Sequence, residues 1–208
     1  MLKRFKERAA KHAYILCAMI LALSLLLAGT LDALARERNL QKRILRLHVV
    51  ANSDSEEDQA VKLLVRDAVL EAGNELFGGD VTAENAEALL AAHVDDVNAA
   101  AEAVLRGNGM DYGVKTRLVT EYFPARAYGE YTLPAGRYEA IKIVLGEGAG
   151  QNWFCVMFPP LCLPAATEKE TDAYFDREEQ KILRREDGYE IRFRFAEALG
   201  RFWDWLTG

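Results

Sequence analysis

Serine, histidine and cysteine are scarce in this chain of 208 residues, with three of each. Ser24, His12 and Cys17 fall within the first 35 residues, which leaves Ser53, Ser55, His48, His93, Cys155 and Cys162 for everything after them. No G-x-S-x-G elbow surrounds either later serine, so neither is set up as an α/β-hydrolase nucleophile. There is no H-E-x-x-H and no C-x-x-C, so a zinc catalyst lacks its usual ligand spacing, and no metal or other cofactor is expected. The stretch Gly146-Glu147-Gly148-Ala149-Gly150 lacks the G-K-[ST] ending of a phosphate loop and reads as a flexible hairpin loop between strands. Five prolines and 15 glycines are too few for a collagen-like or linker-dominated chain. Excess positive charge is missing too: residues 36–208 carry a formal −9, against a partner such as nucleic acid, whose phosphates call for Lys and Arg in excess.

The positive charge is instead concentrated at the start, where Lys3, Arg4, Lys6, Arg8 and Lys11 against Glu7 give residues 1–12 a formal +4. An uncharged run follows from Ala13 to Leu31. A basic segment, an apolar segment and a small-residue site are the features that export machinery reads, and Ala33-Leu34-Ala35 supplies the last of these. Cleavage after Ala35 is one reading. An uncleaved anchor through residues 13–31 is the other, because the run approaches the roughly 20 residues that span a bilayer. Both place the basic end in the cytoplasm and carry the rest across the membrane. Residues 1–35 are therefore read as an export signal or anchor, and residues 36–208 as a single exported globular domain.

Within that domain, Leu45, Leu47 and Val49 alternate with Arg46 and His48, the pattern of a strand with one polar side. Asn52-Ser53-Asp54-Ser55 breaks it, and both Ser53-x-x-Glu56 and Ser55-x-x-Asp58 resemble capping boxes. A helix is predicted to about Phe77 on the period of Val61, Leu64, Val65, Ala68, Ala72 and Leu76. A second is predicted from Ala83 to Arg106, with His93 bordering its apolar stripe. Strands are expected over 114–123 and 138–145, and Trp153–Phe158 reads as a central strand because it is apolar throughout. Residues 168–187 form a charged segment, solvated or loosely helical; a strand over 189–195 and a short aromatic helix over 196–206 follow. The sum is α+β: an antiparallel or mixed sheet packed against two long helices, with a short aromatic C-terminal helix.

Two regions stand out as candidates for function. His48 lies on the polar side of the first strand, where it is expected half-exposed and within reach of Asn52 and Asp54. Cys155 and Cys162 are the only cysteines beyond the leader, and an even count outside the cytosol favours a disulfide across the stiff Val156–Leu161 loop with Pro159 and Pro160. Two buried, unpaired thiols are the alternative. Trp153, Phe158 and their neighbours belong either to the core or to a surface for a partner. Asp95-Asp96 and Glu178-Glu179 read as solvated faces, since consecutive helix positions point about 100° apart.

The run Leu47-His48-Val49-Val50-Ala51-Asn52-Ser53-Asp54-Ser55-Glu56-Glu57-Asp58-Gln59, followed by Lys62 and Val65-Arg66-Asp67, resembles the N-terminal signature of the stage II sporulation protein R family. A second block carries the resemblance further: Phe123-Pro124, Tyr128-Gly129, Leu133 to Ala140, Gly146-Glu147-Gly148, and Asn152 through Cys162. It covers about residues 40–165. The resemblance implies a non-enzymatic signal, secreted from the forespore of an endospore-forming bacterium into the space facing the mother cell. There it would activate a membrane-embedded aspartic protease, stage II sporulation protein GA, that processes the sigma-E precursor. No catalytic residues come with the family. The contact residues expected here are His48, Asn52, Ser53 and Asp54 in the turn, and Trp153, Phe158, Pro159 and Pro160 in the loop, because both present groups at little ordering cost. Two rivals stand beside this reading: an exported hydrolase using His48 with Asp54 or Asp58, and a membrane-associated scaffold that keeps its leader.

Overall fold

The computed structural model describes residues 2–77, 81–159, 161 and 174–184. The strand expected over 189–195, the aromatic helix over 196–206, and Pro160 and Cys162 lie outside them. The chain divides after Arg38 into a leading unit and a body beginning at Asn39.

The described residues of the leading unit form one helix. Helix α1 (Leu2–Lys42) continues into the first residues of the body, and its stretch from Leu16 is long and apolar enough to cross a membrane. Leu16, Met19, Ile20, Leu23, Leu25 and Leu31 are all exposed along it. Such a row of exposed leucines has no place in water, and it suits a signal peptide or a membrane segment.

The body is built on a four-stranded mixed sheet of order β2-β5-β1-β6. Strand β1 (Leu45–Val50) is followed by α2 (Glu56–Leu76), α3 (Ala83–Ala92) and α4 (Val94–Gly107). Next come β2 (Val114–Phe123), the small hairpin of β3 (Arg126–Tyr128) and β4 (Tyr131–Leu133), β5 (Gly136–Leu145), β6 (Asn152–Phe158) and α5 (Arg177–Arg184). β1 runs parallel to β5, with Leu47 opposite Ile141, and antiparallel to β6, with Leu47 opposite Cys155. β2 runs antiparallel to β5. Leu45, Leu47, Val49, Ile141, Ile143, Leu145, Cys155 and Met157 form the sheet side of the main core. Val61, Val65, Val69 and Leu70 of α2, with Val97, Ala101 and Leu105 of α4, close over them.

Several expectations change. β1 and β5, not β6, are the inner strands: each has a neighbour on both edges, while β6 is the terminal strand among the described residues. β6 is nonetheless apolar on both faces because both are covered, Cys155 and Met157 by the core and Val156 by the opposite layer. His48 is not half-exposed but buried, and so is every residue of β1. The second long helix is two helices, broken at His93 (φ −121°, ψ 20°). His93 Nδ1 bonds the Leu89 carbonyl at 2.8 Å, capping an acceptor that the end of α3 leaves open. Asp95 and Asp96 then occupy the first turn of α4, where the exposed N–H groups favour acids. In α2 the stripe is rotated, so that Leu64 is exposed while Lys62 is buried. The charged segment is not wholly solvated: α5 buries Glu179, Ile182 and Leu183, and Arg43 of the α1–β1 junction holds both Glu179 oxygens at 2.6–2.7 Å.

The glycine stretch is not a hairpin loop. β5 and β6 are separated in the sheet by β1, so residues 146–151 must arch over the C-terminal end of β1. The arch is bonded to the turn below it, Ala149 N–H to the Asn52 carbonyl and Gly150 N–H to the Ala51 carbonyl, both at 3.0 Å. Gly150 passes so close that a Cβ would lie 2.1 Å from the Ser53 carbonyl oxygen. Gly150→Ala is therefore expected to lower stability by about 1–3 kcal/mol, because backbone rather than a side-chain tip must yield. Gly107→Ala, where a Cβ meets nothing within 4 Å, should be neutral or slightly stabilising. Urea unfolding of the two variants beside the parent checks this contrast, and equal midpoints would refute the tight docking.

Candidate functional site

The turn between β1 and α2 is organised around one carboxylate. Ser55 is the N-cap of α2, its Oγ accepting from Asp58 N–H at 3.1 Å, but the Ser55 N–H donates to Ser53 Oγ at 3.2 Å rather than to the Asp58 side chain, so the expected capping box reduces to a simple N-cap. Ser53 does a different job: its hydroxyl donates to Asp58 Oδ2 at 2.5 Å. Asn52 Nδ2 donates to the same oxygen at 2.9 Å, and the Tyr112 hydroxyl donates to Asp58 Oδ1 at 2.6 Å. Asn52 Oδ1 meanwhile accepts from Glu147 N–H of the glycine arch at 2.9 Å. One turn along α2, buried Lys62 donates to Gln59 Oε1 at 2.5 Å and to the Gln151 carbonyl at 3.2 Å. Asp54 is exposed beside these groups.

Burial alone would raise the Asp58 pKa, but hydrogen bonds from Ser53, Tyr112, Asn52 and Ser55 outweigh it and hold the carboxyl below its ordinary value. Burial, followed by the hydrogen bond to Asp58 and its charge, pushes the Tyr112 phenol well up. Burial lowers Lys62, against the opposing field of Asp54. Asp58 thus works as a fixed anion that ties β1, α2 and the approach to β2 together.

A second polar cluster lies on the face of the sheet away from the helices. His48 Nδ1 contacts Glu121 Oε1 of β2, and Nε2 contacts Asn152 Oδ1 of β6 at 2.7 Å. Lys142 of β5 donates to the other Glu121 oxygen at 2.9 Å. Burial would raise Glu121, yet the bonds from Lys142 and His48 bring it below its ordinary value. Beside His48, Arg46 is fully buried. Its guanidinium lies 4.5 Å from the ring centre of Phe123, 5.2 Å from that of Tyr138 and 5.5 Å from that of Tyr128. It donates to the Cys155 carbonyl at 2.9 Å and to the Tyr128 hydroxyl at 2.8 Å. Burial lowers its pKa.

The expected site residues are therefore distributed differently from the sequence reading. Asn52 and Ser53 do come together, but around Asp58. His48 meets Glu121 and Asn152 rather than Asn52 or Asp54. The hydrolase reading gains no contact from this, since His48 and Ser53 engage different carboxylates and both His48 ring nitrogens are occupied. No group of three or more His, Cys, Asp or Glu is placed to hold a metal among the described residues. In the loop, Phe158 is core, packed at 5.3 Å centroid distance on Phe77 and on Tyr174, and Pro159 and Cys155 are buried. Trp153 is half-buried, with the Arg66 guanidinium 4.6 Å from its ring centre. It opens on a cleft of about 480 Å³ lined also by Asp67, Arg126, Ala127, Tyr128 and Phe154. Glu121, Tyr112, Arg46 and Arg126 were not picked out from the sequence. No local pattern marks Tyr112, Glu121 or Arg46, because each takes its partner from a segment distant in sequence.

A mixed α+β domain behind an apolar leading helix, with its polar side chains tied into internal networks, is the class of protein so defined. The chain belongs to the stage II sporulation protein R family, whose match spans residues 41–168. It is 32% identical over 219 aligned positions to Stage II sporulation protein R of Bacillus subtilis (strain 168), covering 90% of this chain and 96% of that protein. No solved structure matches it.

Asp58 and Glu121 both titrate below their ordinary values of 3.8 and 4.5. Their stabilisation is thus present above the unfolded-state pKa and is lost as pH falls through the lower folded-state value. Asp58→Ala, which leaves the partly buried donors of Asn52, Ser53 and Tyr112 without their acceptor, is expected to cost about 3 kcal/mol at neutral pH. The gap between parent and variant should shrink as denaturant unfolding is repeated down to about pH 3. A gap that stays constant over that range would rule out the ionised Asp58 hub.

Proposed function

We propose that this chain is a secreted intercellular signal in endospore formation. In this reading it crosses the forespore membrane and acts in the space facing the mother cell. There it switches on a membrane-embedded aspartic protease, stage II sporulation protein GA, which then trims the sigma-E precursor. The observation that carries the reading is kinship over 90% of the chain with a sporulation protein, beside a leading helix apolar enough for export. The two closed polar networks support it, since groups committed to holding the fold leave recognition of a partner as the work of the surface. The mechanism is then binding energy: the chain favours the active arrangement of the protease by touching it more strongly than the resting one. A Cys155–Cys162 disulfide, formed outside the cytosol, would brace the end of β6 in this role.

The test is to produce the full chain, the protease and the sigma-factor precursor together in a non-sporulating host and to follow the precursor on a blot. Cleavage is expected only when all three are made. Cleavage that proceeds equally without this chain, or none with all three present and this one folded and exported, would refute direct activation. Replacing His48 by Gln should impair stability and signalling together. A stable His48→Gln protein that binds the protease but no longer promotes cleavage would favour the hydrolase reading instead.

A further inference from the structure

Trp153 and Phe154 are consecutive in β6 and so point to opposite faces of the sheet. Each carries a guanidinium on its ring. Arg66 of α2 sits 4.6 Å from the Trp153 centroid, and Arg126 of β3 sits 5.9 Å from that of Phe154. The cleft of about 480 Å³ is lined by both pairs and by Tyr128. We propose that this cleft is a docking site for a short acidic peptide segment of a partner protein. The proposal rests on the binding role given above and names the chemistry of the segment bound.

The argument is one of charge and shape. The exported part of the chain is strongly acidic, yet two arginines converge here, and Arg126 is exposed and makes no ion pair among the described residues. A guanidinium stacked on a ring is held flat, with its N–H edge directed outward for a carboxylate. Arg66 already shows that preference: it engages the exposed Asp67 at 2.6–2.7 Å, a pair that a partner's carboxylate can join or replace at little cost because it is solvated. Arg, Trp and Tyr are also the side chains that dominate binding energy at interfaces. Recognition here is by side chains rather than by addition of a strand. The Phe154 carbonyl already accepts from the Tyr128 hydroxyl at 3.2 Å and the Cys155 carbonyl from Arg46 at 2.9 Å, so the local backbone has little left to offer.

The experiment uses the full chain purified in detergent and two fluorescein-labelled octapeptides, one alternating Glu and Leu, the other Lys and Leu. Fluorescence anisotropy should show binding of the Glu peptide and not of the Lys peptide. Arg126→Glu should weaken the Glu peptide at least ~10-fold, because attraction becomes repulsion. Lys115→Glu, the same charge reversal at an exposed site on β2, should leave binding unchanged. Arg126 is exposed on its hairpin, and an unchanged melting temperature will show that the variant keeps its fold. Equal binding to Arg126→Glu and parent, or equal binding of both peptides, overturns the proposal. So does sedimentation that finds a dimer dissolved by Arg126→Glu, which would make the occupant a second copy of this chain. In the three-protein cleavage assay, a stable Arg126→Glu protein that signals like the parent sinks the cleft and leaves the signal role standing. Failure of the parent itself sinks the signal role, and the peptide arm still decides the cleft.

Discussion

The strand β1 is bonded to a neighbour on each edge and covered on both faces, and it carries an arginine and a histidine. Most of the body can be understood as the answer to that constraint. A charged side chain taken out of water must find partners or destabilise the fold by several kcal/mol. No carboxylate partners Arg46 among the described residues. It is held instead by three aromatic rings, a carbonyl and a phenol, drawn from β2, β3, β5 and β6. His48 is held by a carboxylate on β2 and an amide on β6. Every other strand of the sheet thus donates to the polar face of β1, and the β3–β4 hairpin supplies Tyr128 as part of its cover. Apolar packing on the opposite face fixes the helices, but it does not by itself choose this arrangement of strands. The polar groups do so, because their partners must arrive at defined positions.

A second requirement sits at the end of the same strand. The link from β5 to β6 has to cross the end of β1, and the turn beneath it already holds a buried anion. Asn52 serves both sides, one end of its amide on Asp58 and the other accepting from the arch. Gly146 has φ +54° and no room for a Cβ beside Asn52, so the glycine there answers two demands at once. Two blocks nearly a hundred residues apart in sequence are in this way one structural unit. A strain introduced in the arch is felt at the N-terminus of α2.

Much of this was legible in the sequence, and the failures have a common cause. β1, the Ser55 cap, α2 to Phe77 and the strands over 114–123 and 138–145 were readable because periodicity and capping are local. The α+β class followed from them. His48 was misplaced because alternation shows which residues share a face, and says nothing of whether a distant segment covers it. Trp153–Phe158 was read as central for the related reason that burial on both faces looks the same at the centre of a sheet as at a covered end strand. The break at His93 was hidden by alanines that favour helix on either side of it. Of the turn residues, Asn52 and Ser53 meet around an acid that the sequence pattern marks only as a cap and a candidate catalytic acid. Its role depends on Tyr112, 54 residues away.

The division of labour among these residues bears on how a family likeness should be used. Many of the residues that carry the resemblance, among them His48, Asp58, Lys62, Tyr138 and Cys155, are buried and hold the fold together. Likeness at those positions therefore reports a shared scaffold, and any partner must be told apart by what the scaffold presents. Two stretches of the resemblance do reach the surface together, Arg66-Asp67 from α2 and Trp153-Phe154 from β6, and they meet Arg126 from the hairpin at one cleft. The hairpin is anchored there through Tyr128, whose hydroxyl receives a bond from Arg46 and donates one to the Phe154 carbonyl. The buried arginine thus sets the position of the exposed one. A surface whose charged groups are placed by internal ties needs little further ordering when a partner arrives, and that preorganisation is the physical advantage of burying Arg46 rather than replacing it with leucine.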